Sequence, residues 1–325
     1  MFTFNIEKSE KKDIFETVNL WDLIIVGAGP AGLNAAIYAK RKGLEVGIVT
    51  EDIGGQLHNT SIVDNYLGYT NIEGKDLAKE FNDHAKALDI PILQGIRVKN
   101  IDKVNSLFEV KLSDGKELKT RTLLLTTGGA PRKLQVKGED VFANKGVSYC
   151  TTCDAPFFKD KHVVVAGGGN SAAEAVLDLV PWASKITVVH RSLWRADQIL
   201  LDKLKNIDKL TVHLNTQILE VIGDFNMKGL KVLDKVKQET YQIDSDGLFI
   251  EIGTIPNSYL VKDLVKLNER QEIIVDKNQM TSLEGLYAAG DVTDNQEKQI
   301  IISASEGAIA ALAITKYLNK FYKGE

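Results

Sequence analysis

Leu23-Ile24-Ile25-Val26-Gly27-Ala28-Gly29-Pro30-Ala31-Gly32 is the stretch on which the fold turns. Four consecutive apolar residues are the pattern of a strand buried on both faces, as in a parallel sheet. The glycine turn follows at once, then helical spacing from Leu33 to Lys42 and a second strand from Leu44 to Val49. Strand, G-x-G-x-x-G, helix and strand in that order make a dinucleotide-binding unit. The glycines allow a tight turn and bring backbone N–H groups and a helix N-terminus up to a pyrophosphate. Glu51 ends the unit near the spacing at which an acid meets a ribose diol. A glycine turn that merely packs is the bland alternative, and the flanking strand and helix count against it.

The unit recurs. His162-Val163-Val164-Val165-Ala166 leads into Gly167-Gly168-Gly169-Asn170-Ser171-Ala172, a helical stretch and the strand Lys185 to Val189. At an offset of 140 (167 − 27) no gap is needed: Gly27 falls on Gly167, Gly29 on Gly169, Gly32 on Ala172 and Val49 on Val189. Two nucleotide sites are expected, in an α/β fold of two Rossmann-like domains, each a βαβ unit with a β-meander. The units differ where the second strand ends: Thr50-Glu51 in the first, His190-Arg191 with Arg195 beyond it in the second. A carboxylate accepts from a free ribose and repels a 2′-phosphate, whereas a guanidinium binds that phosphate. FAD is therefore expected in the first site and NADPH in the second, unless the two arginines are ordinary solvated surface.

Just ahead of the second unit stands Cys150-Thr151-Thr152-Cys153-Asp154, which holds both cysteines of the 325-residue chain. Two intervening residues let the sulfurs meet across one turn, so the pair can cycle between dithiol and disulfide. Such a bridge closes too little chain to be a useful staple. Half of a zinc site is the alternative, but two more ligands would have to come from five scattered histidines. Asp154 follows the pair directly; its bland role is to cap a helical turn.

The remaining segments fit between these landmarks. Asp52 to Tyr69 reads as loop, Leu77 to Leu88 as helix, and Gly95 to Leu125 as a β-meander turning at Asp114-Gly115. Leu210 to Ile250 reads as the outer strands of the second domain, and Gln299 to Tyr317 as a small-residue helix. Residues 1–20 read as a surface extension with room for a short helix and no chemistry. A net charge of −4 and the lack of a basic block argue against nucleic-acid binding. No apolar run approaches the roughly 20 residues of a membrane span, and no export signal is evident, so no membrane contact and a cytoplasmic setting are expected.

These motifs together resemble the low-molecular-weight thioredoxin reductases along nearly the whole chain after residue 20. The resemblance rests on Gly27 to Gly32, Gly54-Gly55-Gln56-Leu57, Asn65, Cys150 to Asp154, Gly167 to Ala172, Gly290-Asp291 and Lys298-Gln299. A cysteine pair just before the second fingerprint is specific to this group. The resemblance implies an FAD domain in two segments, 1–127 and 254–325, with an NADPH domain, 128–253, inserted between them. It implies FAD contacts from Gly27, Gly29, Pro30, Ala31, Gly32, Glu51, Gly55, Gln56, Leu57, Asn65, Val98, Thr127, Gly128, Gly290, Asp291, Gln299 and Ile300. NADPH contacts are implied for Gly167, Gly169, Asn170, Ser171, Glu174, His190, Arg191, Arg195, Ile252 and Gly253. By the same resemblance NADPH reduces the flavin, the flavin reduces Cys150–Cys153, and the dithiol reduces a thioredoxin- or glutaredoxin-like protein. Cys153 then faces the flavin, Cys150 attacks the protein substrate, Asp154 is the acid/base group that handles the proton each thiolate needs, and the enzyme is a homodimer. Nicotinamide and Cys153 both need close approach to the flavin. Rotation of the central domain about Thr127–Gly128 and Gly253–Thr254 is therefore expected.

The chain departs from the family pattern in two places. The phosphate-binding stretch, His190-Arg191-Ser192-Leu193-Trp194-Arg195, is one residue shorter and one arginine poorer than usual. A missing charged donor costs about 1.5–3 kcal/mol where its bond is buried. NADH, ferredoxin or a deazaflavin as donor is the resulting alternative. Lys298 replaces the more usual arginine beside Gln299. Two rival classes remain: an FAD-dependent dithiol oxidase of the same fold, and a non-enzymatic redox sensor.

Overall fold

The structure, a computed structural model, describes residues 14–60 and 62–323. Both glycine-rich units fold as parallel βαβ. Strand Trp21–Ala28 pairs with strand Val46–Ile53, Leu23 opposite Val46 and Val26 opposite Val49, through helix Pro30–Arg41. Strand His162–Ala166 pairs with strand Lys185–Val189 through helix Asn170–Leu179. Leu23 and Ile25 pack on one side of their sheet with Ala35, Ala36 and Ala39, while Ile24 and Val26 pack on the other with Phe108 and Val110. Burial on both faces is why the run is continuously apolar.

The chain forms two compact units. One comprises the chain up to His58, Glu73–Gly129 and the chain from Pro256 onward; the other comprises Asn59–Ile72 and Ala130–Ile255. The first holds a seven-stranded sheet in the order Ile92–Gln94, Val46–Ile53, Trp21–Ala28, Glu117–Leu125, Leu107–Leu112, Val98–Val104, with Leu286–Ala288 also paired to Glu117–Leu125. Val98–Val104, Leu107–Leu112 and Glu117–Leu125 are the antiparallel meander, closed by a turn in which Lys116 N–H donates to Asp114 Oδ1 (3.1 Å) and Gly115 has φ +91°.

Helix Ile300–Leu318 lies against helix Pro30–Arg41, with Gly307 so close to the Ala31 carbonyl that a Cβ would overlap it and Asn34 Nδ2 donating to Ala304 O at 2.7 Å. Together with the turn after it, Ile300–Tyr322, this helix is long and apolar enough to cross a membrane. That corrects the expectation that no run approaches such a length. Close packing on the neighbouring helix accounts for its small apolar residues.

Two further expectations change. The end of the N-terminal extension is partly core: Phe15, in helix Ile14–Thr17, is buried with its ring centroid 5.1 Å from that of Trp21. Residues 1–13, the rest of that extension, lie outside the described residues. In the second unit the parallel sheet runs Val147–Ser148, Gly247–Ile250, His162–Ala166, Lys185–Val189, Leu210–His213. Strand Gly247–Ile250 is thus internal rather than outer, as suits fully buried Leu248 and Phe249. Thr216–Gly223, Met227–Asp234 and Glu239–Asp244 make a separate antiparallel sheet.

Candidate active site

Cys150, Gly167, His190 and Glu251 all stand just beyond the carboxyl ends of parallel strands of the second unit, the edge at which open α/β sheets bind ligands. Cys150 and Cys153 are joined as a disulfide with Cα atoms 5.3 Å apart. Thr151–Asp154 makes one helical turn capped by Cys150, whose Sγ accepts from Cys153 N–H at 3.3 Å. Thr151 is buried, Thr152 is exposed, and both cysteines are half-buried, so the bridge is reachable from one side.

Two carboxylates bracket this turn. Asp154 does not cap the following helical turn with its side chain; its Oδ2 accepts from the buried Ser148 hydroxyl at 2.6 Å instead. Burial holds its carboxyl above the ordinary range, Ser148 works against that, and the Asp64 carboxylate adds to it. Glu251, which belongs to no motif in the sequence, accepts from the Thr151 hydroxyl at 2.7 Å. Burial pushes it up to about 7, bonds from Thr151 oppose the shift, and Asp178 and Glu174 reinforce it. The available signal was a charge at the end of the apolar run Leu248-Phe249-Ile250.

Glu251 makes the stability of the unit pH-dependent. Between its ordinary value of 4.5 and about 7, the unfolded chain is ionised while the folded chain keeps its proton. Stability therefore falls as pH rises through that window and is level above it. Glu251→Gln removes the titration and keeps an acceptor for Thr151. Its stability should match wild type near pH 4 and exceed it at pH 8 by on the order of 3 kcal/mol. Parallel curves of melting temperature against pH would refute this.

The second fingerprint is backed by the same edge. A Cβ on Gly167 would overlap the Glu251 carbonyl, and one on Gly168 would overlap the buried His190 ring. His190 points inward: its Nε2 lies 3.0 Å from Ser192 Oγ, and burial, then Arg195 and Arg191, hold its pKa down, which favours the neutral ring. Asn170 is tied to Asp197 by two 2.8 Å bonds, and Arg195 N–H donates to Gly168 O at 2.7 Å, folding the arginine loop over the glycines. Arg191 and Arg195 are exposed, as are Ser171 and Glu174, and neither arginine enters an ion pair among the described residues. Beside them stands a cation that motif reading could not supply: Lys235, at the far end of strand Met227–Asp234, donates from Nζ to Arg191 O at 3.3 Å. Ile252 and Gly253 follow Glu251, with Gly253 O accepting from Arg132 N–H at 2.9 Å.

In the first unit, Gly27 (φ +106°) and Gly32 are demanded by packing, because a Cβ on Gly27 would overlap the Thr126 carbonyl and one on Gly32 the Gly27 carbonyl. Gly29 is not: its φ of −77° suits any residue and nothing lies within 4 Å of its would-be Cβ. The same holds for Gly169, at φ −101° with open space before it. Both precede helices, Pro30–Arg41 and Asn170–Leu179, whose first turns receive no side-chain cap. Uncapped N–H donors behind a glycine with open space in front form a cradle that fits a pyrophosphate in each unit.

The other FAD candidates occupy defined places. Ala31 is buried against Gly290 and Gly307; Gly290 N–H donates to the buried Glu306 at 2.6 Å; Asp291 accepts from Ser303 at 3.1 Å. Gly55 lies beside Gly29, Leu57 is buried, and Gln56 Nε2 donates to Gly129 O. Glu51 is engaged by Arg97 at 2.6 Å, next to the buried Val98. Thr127 and Gly128 are bonded to Asn257, with Thr127 Oγ1 donating to Asn257 O at 2.8 Å and Asn257 N–H to Gly128 O at 2.9 Å. Gln299 and Ile300 open the last long helix. Asn65 alone of the set lies in the second unit, on segment Asn59–Ile72.

Residues 21–307 match the pyridine nucleotide-disulphide oxidoreductase family. An alkyl hydroperoxide reductase component of Staphylococcus aureus is 40% identical over 305 residues, which is 94% of this chain and 60% of that protein, so the chain spans about three-fifths of this curated relative. Thioredoxin reductase of Streptococcus pyogenes superposes with a TM-score of 0.88 at 34% identity, over 93% of this chain and 99% of that one. The Giardia duodenalis thioredoxin reductase gives 0.87 at 29% identity, over 93% and 99%. The chain belongs to the pyridine nucleotide-disulphide oxidoreductase family and has the two-domain build of the low-molecular-weight thioredoxin reductases.

Proposed function

We propose that this chain is an FAD-dependent reductase that draws electrons from NADPH and delivers them through Cys150–Cys153 to the disulfide of a thioredoxin- or glutaredoxin-like protein. The observation that carries this reading is the disulfide itself, standing beyond the strand ends of the same parallel sheet that presents the second fingerprint. When bound, FAD supplies two-electron exchange between a nicotinamide hydride donor and a disulfide. Gly29 and the first turn of helix Pro30–Arg41 hold its pyrophosphate, and Glu51 its ribose. Gly169 and the first turn of helix Asn170–Leu179 do the same for the nicotinamide dinucleotide. Cys153 receives electrons, Cys150 attacks the protein substrate, and Asp154 moves the proton. The protein works as a homodimer, and rotation about 127–128 and 253–254 alternates its two states.

Arg191, Arg195 and Lys235 support NADPH over NADH, Lys235 adding a third cation beside a stretch that is one arginine poorer than usual. Anaerobic mixing with NADPH, NADH, reduced ferredoxin and a reduced deazaflavin, following flavin bleaching, tests the donor. NADPH is expected to bleach fastest. Arg191→Ala should raise the KM for NADPH about 10- to 100-fold and leave that for NADH unchanged. Equal loss with both, or bleaching by neither, overturns the donor assignment. Peroxide formed without nicotinamide would mark a dithiol oxidase instead.

A second reading is favoured by the 40% identity to the alkyl hydroperoxide reductase component: the disulfide acceptor is a protein of a peroxide-reducing system. Turnover with a thioredoxin against turnover with a disulfide protein that consumes alkyl hydroperoxide separates the two.

A further inference from the structure

Ser148 sits at the centre of the redox turn without any role in the chemistry described so far. It ends strand Val147–Ser148, is 4% exposed, and its Oγ meets three groups. It accepts from Cys150 N–H at 3.1 Å, lies 2.6 Å from Asp154 Oδ2 and 3.3 Å from Cys150 O. A hydroxyl has one hydrogen. Of the two acceptors, Oδ2 is nearer by 0.7 Å (3.3 − 2.6) and is the charged one, so the hydrogen goes there. The Cys150 carbonyl is already served by Asp154 N–H at 3.1 Å. Asp154 Oδ1, by contrast, has no hydrogen-bond partner among the described residues.

From this geometry we infer that Ser148 is a positioning residue for proton transfer: it keeps Oδ2 occupied as an acceptor, so that Oδ1 alone takes up and returns the exchanged proton, and it ties that carboxylate to the Cys150 backbone. The inference deepens the reading of Asp154 as acid/base group and rests on it. In the exchange, the Cys150 thiol loses its proton to Asp154 Oδ1 and the thiolate attacks one sulfur of the incoming disulfide. A new S–S bond forms, the old one breaks, and the leaving thiolate takes that proton from Oδ1. Cys153, deprotonated in its turn, attacks Cys150 of the mixed disulfide, closing Cys150–Cys153 and releasing the second substrate thiolate, which is protonated. The protein dithiol is oxidised by two electrons and the substrate disulfide reduced by two.

Because Ser148 donates to the ionised form, it lowers the pH at which Asp154 becomes a base. The experiment uses the full-length protein, reduced beforehand with a phosphine, and follows its exchange with a small aromatic disulfide from pH 5 to 9, with no nicotinamide present. In wild type the rate should rise with pH through a limb that Asp154→Asn removes. Ser148→Ala should move that limb up by about one to two pH units, and Ser148→Thr, which keeps the hydroxyl, should restore it. If Asp154→Asn leaves the limb in place, the acid/base reading of Asp154 fails and this inference with it. If Asp154→Asn removes the limb but Ser148→Ala only slows the reaction equally at every pH, Ser148 is merely structural and the inference alone is overturned. Should Ser148→Ala fold poorly, infrared titration of the Asp154 carboxyl in wild type and Ser148→Thr decides. Equal midpoints support the inference, and a Thr midpoint raised as far as the loss of the hydroxyl would raise it overturns it.

Discussion

Cys153→Ser is expected to lower disulfide reduction by at least about a thousandfold while flavin bleaching by nicotinamide persists. The prediction follows from position: the two cysteines of this chain are bonded to each other on one turn, so within this chain no second dithiol can relay electrons. Cys150→Ser should show the same separation, because one sulfur cannot form an internal disulfide. Steady-state turnover with a thioredoxin disulfide, set beside anaerobic flavin bleaching, reads both steps. Loss of bleaching together with turnover would instead mean that the turn holds the flavin site together. Turnover above a tenth of wild type in either variant would remove the disulfide from the electron path.

The second large effect separates two glycines three residues apart. Gly32→Val should unfold the first unit or leave it insoluble, since even a Cβ there overlaps the Gly27 carbonyl and approaches Thr126 Oγ1 to 2.6 Å. Gly29→Val should fold with an unchanged melting temperature once flavin is removed, because its backbone angles are ordinary and the space before it is open. It should nevertheless purify almost free of flavin, as the side chain fills the place where a pyrophosphate meets the helix N-terminus. Flavin absorbance per protein and the melting point of the apoprotein decide. A Gly29→Val protein with full flavin content would show that this cradle is not the phosphate site.

The two βαβ units could be read directly, since local rules govern them: an apolar run buried on both faces, a glycine turn and a helical period all lie within about thirty residues. The same holds for the meander around Asp114-Gly115 and for the redox pair. Strand Gly247–Ile250 was misplaced because its four residues state that they are buried but not between which neighbours. Phe15 was missed because an isolated aromatic near a chain end carries no period.

By itself, then, the sequence determined that this is a doubly wound protein with two nucleotide cradles and one redox disulfide. Each is encoded by residues adjacent in the chain. Only the tertiary structure decided which distant groups attend them: Glu251 against Thr151, 100 residues apart; Lys235 beside Arg191, 44 apart; Glu306 on Gly290. These are single polar side chains brought in by sheet order and helix packing, and for Glu251 and Glu306 burial raises the carboxyl's pKa, a property of the folded neighbourhood rather than of any local motif.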